Sequence, residues 1–122
     1  MKLEVGMYVR LVNDVEDIVI INRIANVFEN TILTENDGSI YQGEYTKENV
    51  IKASYNIVDL IKSKDIILGR DGKIYQCWKI YKDYVFTYSK NKQGQTITLV
   101  DYQIDKVLTK EQMEQMAYKV VE

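Results

Sequence analysis

The most constraining feature of this 122-residue sequence is an internal repeat, because self-similarity at a fixed spacing indicates that one structural unit is used more than once. When residues 1–57 are moved along by 57 positions, apolar and turn residues of the two halves fall opposite each other. The matched pairs are Leu3 with Leu60, Val9 with Ile66, Leu11 with Leu68, Asp14 with Asp71, Tyr45 with Tyr102, Val50 with Val107 and Ile51 with Leu108. The repeat predicts two units, residues 1–57 and 58–122, packed as one body.

Short β-rich segments separated by turns occur in both halves, which is typical of small all-β barrels. The predicted strands cover residues 7–11, 17–24, 27–33, 40–43, 50–51, 66–68, 74–81, 84–89, 96–100 and 104–108. Residues 46–49 predict a single helical turn before the last strand of the first unit. This order predicts a mainly β protein made of two tandem SH3-like small barrels, each with about five short strands.

Turn residues mark the connections between these strands. The sequence predicts a tight connection at Ala25-Asn26, a hairpin at Asp37-Gly38 and a turn at residues 69–72. A short C-terminal helix is predicted after Thr109, because Gln112 three residues later completes a capping box. Residues 118–121 read as a further strand, which we expect to cross back to the first unit and hold the two halves together.

The composition argues against most enzyme classes. The chain has no histidine, so the commonest general base and the usual metal ligand are missing. Its single cysteine, Cys77, lies in an apolar strand and is expected to be a buried structural thiol. The acidic group Asp14, Glu16 and Asp17 could offer oxygen ligands to a cation, but it is more typical of a solvated turn. We therefore expect a non-enzymatic protein with no cofactor, metal site or membrane span.

Charge and tyrosine content point instead to a binding surface. Residues 1–57 carry nine acidic and five basic side chains, a net charge of −4, whereas residues 58–122 carry nine acidic and eleven basic ones, a net charge of +2. Ten tyrosines stand against two phenylalanines, and tyrosine is enriched where proteins contact other proteins. An acidic surface with tyrosines can occupy a basic groove of a partner protein. The predicted partner-binding residues are Glu29, Glu35, Asp37, Tyr41, Glu44, Tyr45 and Glu48.

The second unit suggests an alternative, direct binding of nucleic acid. Its hairpins interleave aromatic residues, including Phe86, with lysines, and small β-barrels use such rings for stacking and such lysines for phosphate. The alternative set is Lys79, Tyr81, Lys82, Tyr84, Tyr88, Lys90 and Lys92. The net charge of the whole chain, −2, ranks this alternative behind a protein partner.

Three stretches together resemble small accessory proteins of phages and prophages of low-GC Gram-positive bacteria. They are residues 3–10 (LEVGMYVR), 51–61 (IKASYNIVDLI) and 108–120 (LTKEQMEQMAYKV). In that group the second unit usually opens with a Gly-Asp pair, whereas this chain has Ser63-Lys64-Asp65. The first turn of the second unit is therefore expected to differ from the pattern.

The resemblance implies a context rather than a set of catalytic residues. It implies a protein located in the cytoplasm of an infected or lysogenic bacterial host, where small acidic phage proteins block host machinery. The expectation is an inhibitor of a host defence protein, of the anti-CRISPR type, that acts by steric occlusion. The expected partner is a host protein such as a nucleic-acid-binding defence effector.

Overall fold

The computed structural model describes residues 2–13, 18–35, 42–89 and 96–114, and these residues form two compact units divided after Leu60. The sequence spacing predicts this boundary three residues earlier, after Ile57. Each unit contains one five-stranded antiparallel sheet, and a short helix follows the second sheet at residues 110–114. The prediction of a mainly β protein is confirmed. Among the described residues, no helix combines the length and the apolar character needed to cross a membrane.

The first unit contains strands β1 to β5. Their bounds are β1 Tyr8–Asn13, β2 Ile18–Val27, β3 Thr31–Glu35, β4 Gln42–Thr46 and β5 Val50–Ser54. A 3₁₀ turn, Lys47–Asn49, lies between β4 and β5, where the sequence predicts a helical turn, and a second, Ile57–Leu60, follows β5. The strand order β4-β3-β2-β1-β5 brings the fifth strand back beside the first.

The second unit repeats this plan. Its strands are β6 Ile66–Gly69, β7 Ile74–Ile80, β8 Tyr84–Ser89, β9 Thr96–Val100 and β10 Ile104–Leu108. The order β10-β6-β7-β8-β9 again places the fifth strand beside the first, and the 3₁₀ turn Asp101–Gln103 precedes that fifth strand. The predicted bounds of β8, β9 and β10 agree with the structure.

Equivalent backbone hydrogen bonds show that the repeat is structural. The amide of Gly6 donates to the carbonyl of Ile24 at 2.9 Å, and the amide of Lys64 donates to the carbonyl of Cys77 at 2.8 Å. A β-bulge follows Ile24 in β2, and another follows Cys77 in β7. Ile24 and Cys77 therefore occupy one position of the common plan. The predicted burial of the Cys77 thiol is confirmed.

The spacing of the repeat is not constant, which corrects the uniform value of 57. Tyr8 of β1 lies opposite Arg23 of β2, whereas Ile66 of β6 lies opposite Gln76 of β7, so the first hairpin is five residues longer in the first unit. Val9 is consequently equivalent to Ile67 rather than to Ile66, and both are fully buried. The number of positions between equivalent residues is larger before this hairpin than after it, and the single value of 57 does not distinguish the two.

The connection predicted at Ala25-Asn26 is wrong. Strand β2 continues to Val27 through its bulge, and the chain turns only between Phe28 and Thr31, where the amide of Phe28 donates to the carbonyl of Thr31 at 2.9 Å. A bulge inserts one unpaired residue and bends the strand, so it resembles a turn in the sequence without ending the strand.

The start of the second unit shows how its first turn keeps the common geometry. Gly6 has a φ of 93° and its equivalent, Lys64, has a φ of 77°. The expectation that this turn differs in the absence of glycine is therefore wrong, since Lys64 adopts the left-handed conformation that glycine would occupy at lower cost.

The capping box predicted for the C-terminal helix is confirmed. The amide of Thr109 donates to Oε1 of Gln112 at 2.9 Å, and the amide of Gln112 donates to Oγ1 of Thr109 at 3.1 Å. The carboxylate of the buried Asp65 also accepts the amide of Lys110 at 2.8 Å, so the helix start is attached to the beginning of β6. The predicted hairpin at Asp37-Gly38 and the strand at 118–121 lie outside the described residues.

Candidate functional site

The alternation of side chains along β8 produces two different faces of the second sheet. Val85 and Thr87 are fully buried, whereas Tyr84, Phe86 and Tyr88 lie on the opposite, outer face. Successive residues of a strand point to opposite sides of a sheet, so three aromatic rings follow one another along one strand. No charged side chain interrupts this row.

Strand β7 and the turn after it add two rings to the row. Trp78 stacks on Phe86 with ring centroids 5.7 Å apart and on Tyr88 with centroids 5.8 Å apart. Tyr81 stacks on Tyr84 at 5.0 Å and meets Phe86 edge to face at 4.9 Å. We call these five residues, Trp78, Tyr81, Tyr84, Phe86 and Tyr88, the aromatic face.

The bulge in β7 explains how Trp78 reaches this face. The register shifts between Cys77 and Lys79, so Trp78 is the extra, unpaired residue. Cys77 remains in the core, while Trp78 and Lys79 are both exposed. In the first unit the equivalent extra residue is Ala25, which carries no ring. The same backbone irregularity therefore presents a large aromatic surface only in the second unit.

Lysines border the aromatic face at one end. The ammonium nitrogen of Lys79 lies 5.2 Å from the centroid of the Tyr81 ring, a distance at which a cation is attracted to the face of an aromatic ring. Lys82 is exposed in the turn between β7 and β8. Trp78 and Tyr88 keep 38% and 42% of their surface exposed, so the rings remain open to a partner.

The structure brings together the described members of the alternative set. Lys79, Tyr81, Lys82, Tyr84 and Tyr88 all belong to the β7–β8 hairpin or its turn, and Lys90 and Lys92 lie outside the described residues. Sequence reasoning missed Trp78 as a surface residue because neighbouring apolar residues suggested a regular buried strand. Phe86 was in neither predicted set, although its position between Tyr84 and Tyr88 in an alternating strand is the signal that could have found it.

The acidic set of the first unit is more dispersed. Glu35 and Glu44 lie on the outer face of β3 and β4, where Oγ1 of Thr31 donates to Oε1 of Glu44 at 2.9 Å. Tyr45 faces the opposite side and packs against the core of the unit. Glu29 is exposed in the turn after β2 and Glu48 is exposed in the 3₁₀ turn. Asp37 and Tyr41 lie outside the described residues, and a partner-binding role for the set stays a prediction.

A groove of about 470 Å³ lies elsewhere on the second unit, lined by residues that include Arg70, Asp71, Tyr75 and Tyr102. Asp71 Oδ2 accepts the Tyr75 hydroxyl at 2.6 Å and Asp71 Oδ1 accepts the Lys73 amide at 2.9 Å. These hydrogen bonds lower the pKa of Asp71, and the bond to Asp71 raises the pKa of Tyr75 to about 12. The carboxylate is thus held in a structural arrangement and is a poor proton acceptor at neutral pH.

Nucleophilic and metal chemistry find little support in the described residues. Burial raises the pKa of the Cys77 thiol to about 11, so the nucleophilic thiolate is scarce at neutral pH. Within residues 2–13, 18–35, 42–89 and 96–114, no cluster of three or more cysteine or carboxylate side chains is arranged to hold a metal ion. The acidic residues Asp14, Glu16 and Asp17 lie outside the described residues.

No protein-family model matches the chain, and no curated protein or solved structure matches it. The geometry of the aromatic face and the internal repeat therefore carry the functional argument.

Proposed function

We propose that the protein is a non-enzymatic binding module whose docking surface is the aromatic face of the second unit. The observation that carries the proposal is the chain of ring contacts among Trp78, Tyr81, Tyr84, Phe86 and Tyr88 on the outer side of the sheet. Stiff aromatic side chains lose little conformational entropy on binding and supply large contact areas, so they dominate binding energies at many interfaces.

Comparison of the repeats supports a functional origin for this surface. Thr31, Leu33 and Glu35 of β3 occupy the positions that Tyr84, Phe86 and Tyr88 occupy in β8, since both strands pair with their neighbours in the same order. The first unit forms its sheet without aromatic residues at these positions. Folding of the common plan therefore does not require the three rings.

We further infer that each unit is an SH3-like small barrel. The return of the fifth strand to the first, after a 3₁₀ turn, is the arrangement that supports this assignment. Such barrels place their binding residues on the outer surfaces of strands and on the loops between them. The assignment predicts that the outward-facing residues of β7 and β8, with the turn between them, can change without loss of the fold.

Capture experiments with two matched tyrosine variants test the proposal. A tagged protein is used as bait in a lysate of a low-GC Gram-positive bacterium, with and without nuclease treatment. Tyr88→Ala removes an exposed ring of the aromatic face, and Tyr102→Ala removes an exposed ring of the same unit that lies outside the five-residue cluster. We expect the wild type and Tyr102→Ala to retain a stoichiometric partner that Tyr88→Ala loses.

Equal retention by the wild type and both variants would contradict the proposal. A partner lost equally by both variants would also contradict it, because the effect would then not depend on the aromatic face. Circular dichroism and urea unfolding of each variant show whether the fold survives, so that loss of binding can be assigned to the missing ring.

A second candidate function is inhibition of a host defence protein through the acidic side of the first unit. The position of Glu35 and Glu44 on one outer face favours it, because paired carboxylates can occupy a groove that binds phosphate. The double variant Glu35→Gln and Glu44→Gln is expected to abolish capture of a protein partner in the presence of nuclease. Unchanged capture by this variant would eliminate the candidate.

A further inference from the structure

We infer that the partner of the aromatic face is a single-stranded nucleic acid. This inference rests on the proposed function, since it names the chemistry that the same five rings recognise. Exposed rings on a sheet can stack on bases of any sequence, because every base has a flat apolar face. Double-stranded nucleic acid keeps its bases stacked on each other and offers no such face to the sheet.

Charge complementarity distinguishes a polyanion from an acidic or neutral protein surface. Lys79 and Lys82 lie beside the rings, with the ammonium nitrogen of Lys79 at 5.2 Å from the centroid of the Tyr81 ring, and the exposed Asp83 follows Lys82 in the same turn. On the first unit, the equivalents of Tyr88 and of Thr98 are Glu35 and Glu44, two carboxylates that would repel phosphate. The same scaffold thus carries rings and lysines on one unit and negative charge on the other.

The position of the bulge adds a geometric argument. Trp78 and Lys79 are consecutive residues, which a regular strand would send to opposite faces. The bulge leaves both exposed beside the outer row of rings. A base can stack on Trp78 while the neighbouring phosphate of the same strand binds the ammonium group of Lys79. The bulge therefore brings together the two contacts that a strand of nucleic acid needs.

The single tryptophan of the chain provides a direct readout, because Trp78 belongs to the proposed site. Tryptophan fluorescence is titrated with a twelve-nucleotide oligothymidylate and, separately, with a twelve-base-pair duplex. We expect saturable quenching by the oligothymidylate and weaker quenching by the duplex. Affinity is expected to fall as salt rises, since lysine contacts to phosphate release counterions.

Two pairs of variants locate the interaction. Tyr88→Ala is expected to weaken oligothymidylate binding roughly 5- to 150-fold, the loss of one stacked base, whereas Tyr102→Ala leaves it unchanged. The double variant Lys79→Ala and Lys82→Ala is expected to reduce the slope of log affinity against log salt by about 1.4. Lys52→Ala, an exposed lysine on β5 of the first unit, serves as its control.

The outcomes separate this inference from the proposed function. Absence of quenching and of salt-dependent binding in the wild type would overturn the inference. A protein partner that resists nuclease and depends on Tyr88 would also overturn it, while leaving the aromatic face as a docking surface. Capture that does not depend on Tyr88 at all would contradict the proposed function itself. If Lys52→Ala and the double lysine variant weaken binding equally, the oligonucleotide is attracted by positive charge anywhere on the protein. That result would overturn the inference.

Discussion

The outer faces of the two sheets have the same backbone plan and different chemistry. On β3 and β4 of the first unit the outer positions include Thr31, Leu33 and Glu44, whereas on β8 of the second unit the outer row is Tyr84, Phe86 and Tyr88. The buried positions that alternate with these outer residues carry similar side chains in the two units: Ile32 and Thr34 in β3 match Val85 and Thr87 in β8. The inner residues therefore define the fold, and the outer residues are where the two units differ in potential function.

The shared interior includes a polar contact that both units use. Thr34 Oγ1 donates to the carbonyl of Gly43 at 3.1 Å, and Thr87 Oγ1 donates to the carbonyl of Ile97 at 2.9 Å. Each fully buried hydroxyl joins a central strand to the next strand of its sheet. Because Thr34 and Thr87 make equivalent contacts, substitutions at these two positions allow a direct comparison of the two units.

The largest expected effect concerns a contact that only the second unit has. Asp65 is fully buried and its carboxylate accepts the amides of Lys62 and Lys110, both at 2.8 Å, whereas the equivalent residue of the first unit is Met7. Asp65→Ala leaves two amides without this acceptor and is expected to lower the free energy of unfolding by roughly 2–6 kcal/mol. Urea unfolding measures the loss. The exposed Asp105 provides a control, and an equal loss for Asp105→Ala would contradict the assignment.

The second prediction compares the two buried threonines. Thr87→Val removes the hydrogen bond to Ile97 and is expected to cost about 1 kcal/mol. Thr34→Val is expected to cost about 2–3 kcal/mol, because the side-chain amide of the buried Asn22 also donates to Thr34 Oγ1, at 2.9 Å, and loses its acceptor. Chemical denaturation of both variants measures the difference. Thr→Ser at each position retains the hydroxyl and is the control, and a greater cost at Thr87 would contradict the account.

The third prediction concerns the turn that opens each unit. Lys64→Gly is expected to increase the free energy of unfolding by about 1 kcal/mol, because glycine adopts a φ near 77° without steric cost. Gly6→Ala at the equivalent position is expected to destabilise the first unit by about 1 kcal/mol for the same reason. Thermal and urea unfolding measure both changes. Destabilisation by Lys64→Gly would show that the two turns are not equivalent.

The smallest expected effect is a pH dependence that comes from the Asp71–Tyr75 hydrogen bond of the second unit. The Tyr75 hydroxyl donates to Asp71, whereas the first unit has Asn22 at the position of Tyr75. The folded state lowers the pKa of Asp71, so its stabilising contribution is present above the usual pKa of 3.8 and is lost as the pH falls through the lower, folded value. The stability difference between the wild type and Tyr75→Phe should therefore shrink below pH 3.8.

Ionisation of Tyr75 at alkaline pH gives an independent check of the hydrogen bond between Asp71 and Tyr75. The pKa of Tyr75 is raised from 10.0 to about 12, so its contribution is complete below pH 10 and is lost as the pH rises towards 12. Ultraviolet titration of the tyrosines should show that a late-ionising group becomes more acidic in Asp71→Asn. An unchanged titration in that variant would contradict the role of Asp71.

The sequence predicts the elements of this fold better than their irregularities. Alternation of apolar and polar residues and the turn residues located β8, β9 and β10, and the capping box at Thr109 located the C-terminal helix. The bulges after Ile24 and Cys77 were missed, because a single extra residue leaves the composition of a strand unchanged. The constant spacing of 57 failed for a related reason, since a five-residue difference in one hairpin is invisible to a single displacement.

The same limit applies to the candidate site. The tyrosines and lysines of the second unit could be listed from the sequence, and alternation along β8 is the signal that could have grouped Phe86 with Tyr84 and Tyr88. Trp78 joined them only through the bulge. Tyr45 and Glu44 belong to one predicted binding set, yet they are consecutive residues of β4 and their side chains lie on opposite faces of the sheet.

The most direct test of the account is a map of amide chemical shifts in the ¹⁵N-labelled protein during titration with a twelve-nucleotide oligothymidylate. We expect perturbations concentrated in β7, β8 and β9 of the second unit, with the amides of β3 and β4 in the first unit unchanged. Perturbations concentrated on β3 and β4, equal perturbations in both units or none at all would contradict the claim that the aromatic face distinguishes the second unit as the nucleic-acid-binding one.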